Sequence, residues 1–240
     1  MSVAIQLAGV SLGYPTAGGP RPVLSNINLN IRSSETLALV GRSGSGKTTL
    51  LNLAAGLLTP TRGSVTFSAS PRVGYVFQDA RLLPWLTLQA NLKLVCPPEF
   101  HADIPQALAR VGLAGREQDH PGQLSLGMAQ RAAVARALVI RPDVLLLDEP
   151  SGALDELTAS ELRVELASLL QVQPATTLLV THHPTEAVQL ADRIAVLGGQ
   201  PATLTRLIEV PLAHPRDPDD PALLDFVRQL RLHLRQPEAV

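Results

Sequence analysis

Residues 36–58 combine three features that few folds can accommodate together. Thr36-Leu37-Ala38-Leu39-Val40 is a short apolar run. Gly41-Arg42-Ser43-Gly44-Ser45-Gly46-Lys47-Thr48 follows, with three glycines in eight residues. Thr49 to Leu58 then has helical composition and stops before Pro60. The apolar run suits a buried parallel strand. The eight residues satisfy G-x-x-x-x-G-K-[ST] at every fixed position, and a strand before and a helix after are the setting that gives this pattern meaning. Glycines let successive N–H groups curl around an anion, and the helix N-terminus adds partial positive charge. Lys47 then reaches the β- and γ-phosphates of a nucleotide, and Thr48 offers its hydroxyl to Mg²⁺. The choice of cation supports this, because the chain has two lysines against eighteen arginines. A compact ammonium fits between phosphates where a planar guanidinium does not. The bland alternative is a glycine-rich turn without a ligand, which must then match four fixed positions by accident.

A second apolar run, Val144-Leu145-Leu146-Leu147, ends in Asp148-Glu149-Pro150. Alone, such a pattern is often a strand leaving the core through a polar turn. Beside a phosphate loop, Asp148 suits a magnesium shell and Glu149 suits polarising a water. A third run, Ala175-Thr176-Thr177-Leu178-Leu179-Val180-Thr181, ends in His182, placed to touch a γ-phosphate or position the water. Ligand sites of open α/β sheets lie at the carboxyl ends of strands, where all three residues fall.

At 240 residues and net charge −1, the chain can bury one large domain or two small ones, and it has no field to draw it to nucleic acid or anionic lipid. Its single cysteine, Cys96, excludes internal disulfides, suits a reducing compartment and reads as a small buried hydrophobe. No run of eighteen apolar residues suggests a membrane span, and Met1-Ser2-Val3-Ala4-Ile5-Gln6 lacks the charged and apolar regions of a signal peptide.

Four more segments bear on the family. Leu124-Ser125-Leu126-Gly127-Met128 precedes a helical run, Ala129 to Leu138. Gln78 lies in Val76-Phe77-Gln78-Asp79, Ser151-Gly152-Ala153-Leu154-Asp155 follows the acidic strand, and Tyr14 closes Val10-Ser11-Leu12-Gly13-Tyr14. With the phosphate loop, Glu149 and His182, these resemble an ATP-binding-cassette (ABC) ATPase over about residues 3–210: signature, Q-loop, D-loop, switch histidine and adenine-stacking aromatic. The resemblance implies an α/β fold: a P-loop NTPase (RecA-like) core with an antiparallel β-subdomain and an α-helical signature subdomain inserted at about 79–135. The ATPase domain spans 1–210, and a tail of 211–240 carries a short helix.

It further implies nucleotide contacts from Tyr14, Gly41, Arg42, Ser43, Gly44, Ser45, Gly46, Lys47, Thr48 and Thr49. Metal contacts come from Thr48, Gln78 and Asp148, and catalysis from Glu149, His182 and Gln78. Ser125, Leu126, Gly127 and Met128 contact ATP held by a second, head-to-tail copy. ATP and Mg²⁺ are the implied cofactors. The implied partners are that second copy, transmembrane permease subunits and, indirectly, a solute-binding protein, with no nucleic acid. The implied location is the cytoplasmic face of a bacterial inner membrane.

Two departures stand out. Leu126 occupies a usual glycine position, where a Cβ opposes positive φ and brings bulk to the nucleotide interface. Ser33-Ser34-Glu35 replaces a usual Gly-Glu, a change expected to matter little. The short stretch between Lys47 and Gln78 predicts no hairpin extension of the β-subdomain.

Phe77-Gln78-Asp79-Ala80-Arg81-Leu82-Leu83-Pro84-Trp85 and Glu209-Val210-Pro211-Leu212-Ala213-His214-Pro215-Arg216-Asp217 resemble the importer branch for nitrate, sulfonates and taurine, a likeness shared by importers of pyrimidine precursors. Trp85 reads as an anchor for a partner helix or as ordinary packing. Pro221 to Arg235 reads as a short helix whose leucines, Phe226 and Val227 pack on the body or on a partner. The alternatives are an exporter or lipoprotein-release ATPase, or a weakly hydrolysing regulatory cassette because of Leu126. Chromosome-maintenance relatives insert long coiled coils between loop and signature, and none lies between Lys47 and Leu124; translation-type relatives carry two cassettes.

Overall fold

The computed structural model describes residues 5–235, so residues 1–4 of the N-terminal reading and 236–240 of the tail lie outside the described residues. In chain order, β1 (Ile5–Tyr14) and β2 (Arg21–Ile31) precede β3 (Thr36–Gly41), α1 (Lys47–Ala54), β4 (Arg62–Phe67) and β5 (Val73–Val76). Helices α2 (Leu88–Lys93), α3 (Ile104–Arg110) and α4 (Leu126–Leu138) follow. The chain then runs through β6 (Val144–Asp148), α5 (Glu156–Val172), β7 (Thr176–Val180), α6 (Pro184–Leu190), β8 (Arg193–Gly198), β9 (Thr203–Glu209) and α7 (Pro221–Arg235).

Strands β3, β6 and β7 are buried almost throughout and apolar at their centres because both faces are covered, as parallel sheets require. They lie at the centre of a sheet ordered β5-β6-β7-β3-β8-β9, in which only β9 runs antiparallel to its neighbour. Alternation along β3 divides the core. Ala38 and Val40 join the layer built on α4, α5, α6 and α7, whereas Leu37 and Leu39 join α1 and the second sheet. That second sheet, β2-β1-β4, is antiparallel. β4 follows α1 directly, so the sheet has three strands among the described residues and no hairpin extension.

Local limits differ from the sequence reading. α1 ends at Ala54 rather than Leu58, because the amides of Leu57 and Leu58 both turn back onto the Asn52 carbonyl and Leu57 faces solvent. α4 starts at Leu126, three residues before the expected run, where Ser125 accepts a hydrogen bond from the Met128 amide at 3.3 Å. Ser34 adopts φ of 60°, so replacing glycine there is not neutral and costs on the order of 1 kcal/mol.

Trp85 lies in the loop before α2 and is 70% exposed, which excludes the packing alternative within this chain. Cys96 is buried, and burial pushes its thiol up. α7 buries Leu223, Val227 and Leu230 in the same layer as α6, with Leu224 and Leu232 left outside, so its apolar face packs on the body. Arg216 is buried beside it and donates to the carbonyls of Val188 and Ala191 at 2.6 Å each.

Candidate active site

The phosphate loop is held between the end of β3 and the start of α1. Gly46 caps α1 with φ of 85°, and a Cβ there would meet Leu24 Cδ2 at 2.9 Å, so both conformation and space require glycine. Lys47 is buried, and its Nζ donates to the carbonyls of Gly41 (3.0 Å) and Arg42 (3.1 Å), folding the ammonium over the loop. Burial lowers its pKa, opposed by the Glu149 and Asp148 carboxylates. Asp148 ends β6 and accepts from Thr48 Oγ1 at 3.1 Å. Burial raises the Asp148 pKa; the Thr48 hydrogen bond and the Lys47 charge oppose that rise, and Glu149 adds to it.

Glu149 has φ of 46°, a left-handed conformation that a non-glycine residue adopts only under constraint. Two contacts hold it: its N–H donates to Val180 O at 2.8 Å, and its carbonyl accepts from Gly152 N–H at 3.0 Å. Asp148 lies level with Val180 in the parallel register of β6 and β7. The residues just beyond these ends therefore meet, and His182 Nδ1 lies 3.0 Å from Glu149 Oε2. Gln78 follows β5, and buried Gln130 of α4 steadies its loop by donating to Phe77 O at 3.2 Å.

A cleft of about 600 Å³ is lined by Tyr14, residues 43–49, Gln78 and Glu149. Tyr14 ends β1 with its hydroxyl 3.3 Å from Thr49 Oγ1. The opposite wall comes from Thr16, Arg21, Pro22, Val23 and residues 199–202. Sequence reading missed that wall. Arg21 reaches the cleft because it pairs with Tyr14 across the β1–β2 hairpin, a register that no local motif signals. A second cavity of about 370 Å³ is bordered by Gly41, Arg42, Ser43, Glu149, His182 and, from the tail, Leu234.

The structure thus gathers Tyr14, Gly41 to Thr49, Gln78, Asp148, Glu149 and His182. Ser125 to Met128 line neither cavity. Their helix instead presses on α5, where a Cβ on Gly127 would lie 2.5 Å from Thr158 Cγ2. Leu126 stands in the first turn of α4 at a helical, negative φ, so the expected backbone strain is absent; its side chain, 58% exposed, remains as bulk on the surface. No group of three or more His, Cys, Asp or Glu able to hold a metal occurs among the described residues. The Thr48 hydroxyl and Asp148 carboxylate are a pair of converging hard oxygen donors, which fits a Mg²⁺ that takes few protein ligands and completes its shell with phosphate and water.

A phosphate loop at the carboxyl end of a parallel sheet, facing two acidic residues at the end of β6 two strands away, defines a P-loop nucleoside triphosphatase. The model of the ABC transporter family matches residues 24–152. The aliphatic sulfonates import ATP-binding protein SsuB 1 of Paracoccus denitrificans is 46% identical over 215 residues, 89% of this chain and 88% of that protein. The bicarbonate transport ATP-binding protein CmpD of Synechocystis sp. is 41% identical over 90% of this chain and 82% of its own. The nitrate transport protein NasD of Klebsiella oxytoca is 37% identical, with both chains fully covered. Among solved structures, a dimeric post-hydrolysis state of the ATP-binding cassette MJ0796 with ADP and Pi superposes with a TM-score of 0.77 at 30% identity, over 87% of this chain and all of that one. The chain belongs to the ABC transporter family and is an ATPase of that family.

Proposed function

We propose that this chain is the ATP-hydrolysing subunit of an importer for a small anion. The observation that carries the hydrolytic part is the Glu149–His182 contact of 3.0 Å beside the phosphate loop. The import direction and anionic cargo are supported by relatives named for bicarbonate, sulfonates and nitrate.

In this reading Tyr14 stacks on the adenine, the loop amides cradle the phosphates, and Lys47 neutralises the β- and γ-oxygens. Burial lowers the pKa of this ammonium, and an adjacent phosphate, like the Glu149 and Asp148 carboxylates, favours its charged form. Thr48, Asp148 and Gln78 hold Mg²⁺, which when bound neutralises charge on the phosphate oxygens. Glu149 accepts the proton of the attacking water as its oxygen bonds to the γ-phosphorus and the bond to the β–γ bridging oxygen breaks. His182 fixes the Glu149 carboxylate and contacts the γ-phosphate.

Ser125, Leu126, Gly127 and Met128 serve the ATP of a second copy seated head to tail, consistent with their lining neither of the two cavities beside the phosphate loop. Trp85, exposed beside the Gln78 loop, anchors a permease helix. No helix among the described residues is long and apolar enough to cross a membrane, so attachment to the cytoplasmic face of the inner membrane runs through that permease. The division into an ATPase domain at 1–210, with its helical insert at about 79–135, and a tail at 211–240 belongs to the same reading.

The test is ATP turnover by the purified chain against Glu149→Gln, with nucleotide binding measured in parallel. Loss of the general base lowers kcat by roughly 10²–10⁴-fold and leaves ATP binding intact; turnover at the wild-type rate refutes the assignment. Reconstitution with the permease and its solute-binding protein, followed by uptake of labelled bicarbonate, sulfonate and nitrate, tests the cargo.

A further inference from the structure

Beneath the Glu149–His182 pair lies a carboxyl group that the proposed reaction does not use. Glu186, in the first turn of α6, is 0% exposed. Ser151 Oγ donates to its Oε1 at 2.7 Å, and the Thr181 hydroxyl lies close enough to oppose the rise of its pKa. Its Oε2 has no partner, and nearby Gln189 is buried with both side-chain amide atoms unpaired. Arg163 of α5 is close enough to exert a charge effect, yet it directs its guanidinium to Glu156 at 2.8 Å. A carboxylate so enclosed and without an ion-pair partner favours its proton. Burial pushes Glu186 above its ordinary range; the Thr181 and Ser151 hydroxyls and the Arg163 charge oppose the rise, and Glu149 adds to it.

The partners of Glu186 decide what it does. Ser151 stands two residues after Glu149, inside the turn closed by the Gly152 N–H and the Glu149 carbonyl at 3.0 Å. Thr181 immediately precedes His182, and its Oγ1 accepts from the His183 N–H at 2.9 Å. A hydrogen bond thus ties Glu186 to the loop carrying Glu149, and the neighbouring Thr181 hydroxyl sets it against the loop carrying His182. The two loops meet again where His182 Nδ1 faces Glu149 Oε2 at 3.0 Å. Glu186 closes a ring around the reacting end of the site.

We propose that Glu186 is a positioning residue for ATP hydrolysis, clasping both loops from beneath and so fixing the spacing between Glu149 and His182. This rests on the hydrolytic reading above. Lys47 and the phosphate loop lie outside the ring, so the effect falls on turnover and not on nucleotide affinity.

The full chain is assayed as Glu186→Ala, Glu186→Gln, Ser151→Ala and the Ser151→Ala/Glu186→Ala pair. Misplacing a reacting group by an ångström costs up to about 10²-fold, so Glu186→Ala lowers kcat by roughly 10–100-fold with KM for ATP within about twofold. Glu186→Gln, whose amide oxygen still accepts from Ser151 and faces Thr181, keeps most of the turnover. The pair adds little to Glu186→Ala alone, since both changes open the same ring. Backbone hydrogen exchange supplies a readout independent of chemistry: in Glu186→Ala the amides of Gly152 and His183 lose protection together.

Unchanged kcat, a change confined to KM, a Glu186→Gln as damaged as the alanine variant, or exchange that rises in one loop only would each overturn the proposal. If Glu186→Ala does not fold, Ser151→Ala, which removes only a hydroxyl, decides by the same comparison of kcat with KM. An unmodified chain that hydrolyses no ATP refutes the hydrolytic reading, and the exchange result then still decides whether Glu186 joins the two loops.

Discussion

Glu186→Gln also tests the buried proton directly, through stability. The native carboxyl titrates above its ordinary value of 4.5, while the unfolded chain releases the proton near that value. Between the two values the unfolded state binds fewer protons than the native state, so stability falls as pH rises. The contribution of the carboxyl is fully present below 4.5 and is lost as pH rises through the native value; above that it is flat. Its slope is about 1.4 kcal/mol per pH unit. Glutamine keeps the shape and one acceptor but has no proton to lose, so the variant gains on the wild type by this amount per unit. For a chain of this size that corresponds to roughly 3–5 °C in Tm per pH unit. Urea unfolding and thermal melts of both proteins, at half-unit steps from pH 4.5 to 8.5, give the difference curve. His183, which burial holds below its ordinary range, titrates in both proteins and drops out of the difference. A flat difference shows that the carboxyl titrates alike in both states. An ionised Glu186 paired with Arg163 gives the same flat difference, because a lowered native value acts only below pH 4.5, and a flat result refutes the reasoning.

Two further predictions concern the signature helix. Gly127→Ala places a methyl group 2.5 Å from Thr158 Cγ2, and Thr158 cannot step aside because its hydroxyl donates to Asp155 Oδ2 at 2.7 Å and its amide to Oδ1 at 3.1 Å. Overpacking of this kind costs about 1–3 kcal/mol, so the melting temperature falls; an unchanged melt refutes the contact. Leu126→Gly weakens α4 by up to about 1 kcal/mol but removes an exposed side chain from the face proposed to meet a second copy. Faster turnover with Glu149 intact, and tighter ATP-dependent dimerisation when Leu126→Gly is combined with Glu149→Gln, are expected; if neither changes, Leu126 is no obstacle there.

What the sequence made legible was whatever a short stretch of backbone decides for itself. The phosphate loop, the acidic end of β6 and the polar end of β7 each announce themselves through a run of apolar residues with an abrupt polar stop. The end of α1 was not legible, because it is set by amides turning back onto Asn52 and not by composition. The Leu126 expectation went astray for a related reason. A glycine preference in relatives was read as a demand for positive φ, whereas here the residue begins a helix capped by Ser125. Contacts that depend on register stayed hidden altogether. Arg21 enters the cleft only through the β1–β2 pairing, and Ser151 meets Glu186 across thirty-five positions. Glu149 and His182 could each be read as chemically competent, but their separation could not. It follows from Asp148 lying level with Val180, and a slip of one residue between β6 and β7 would turn side chains to the opposite face of the sheet and part the pair. Local motifs can therefore announce the groups of this site, while their spacing belongs to the sheet and to the buried carboxyl that joins the loops beyond it.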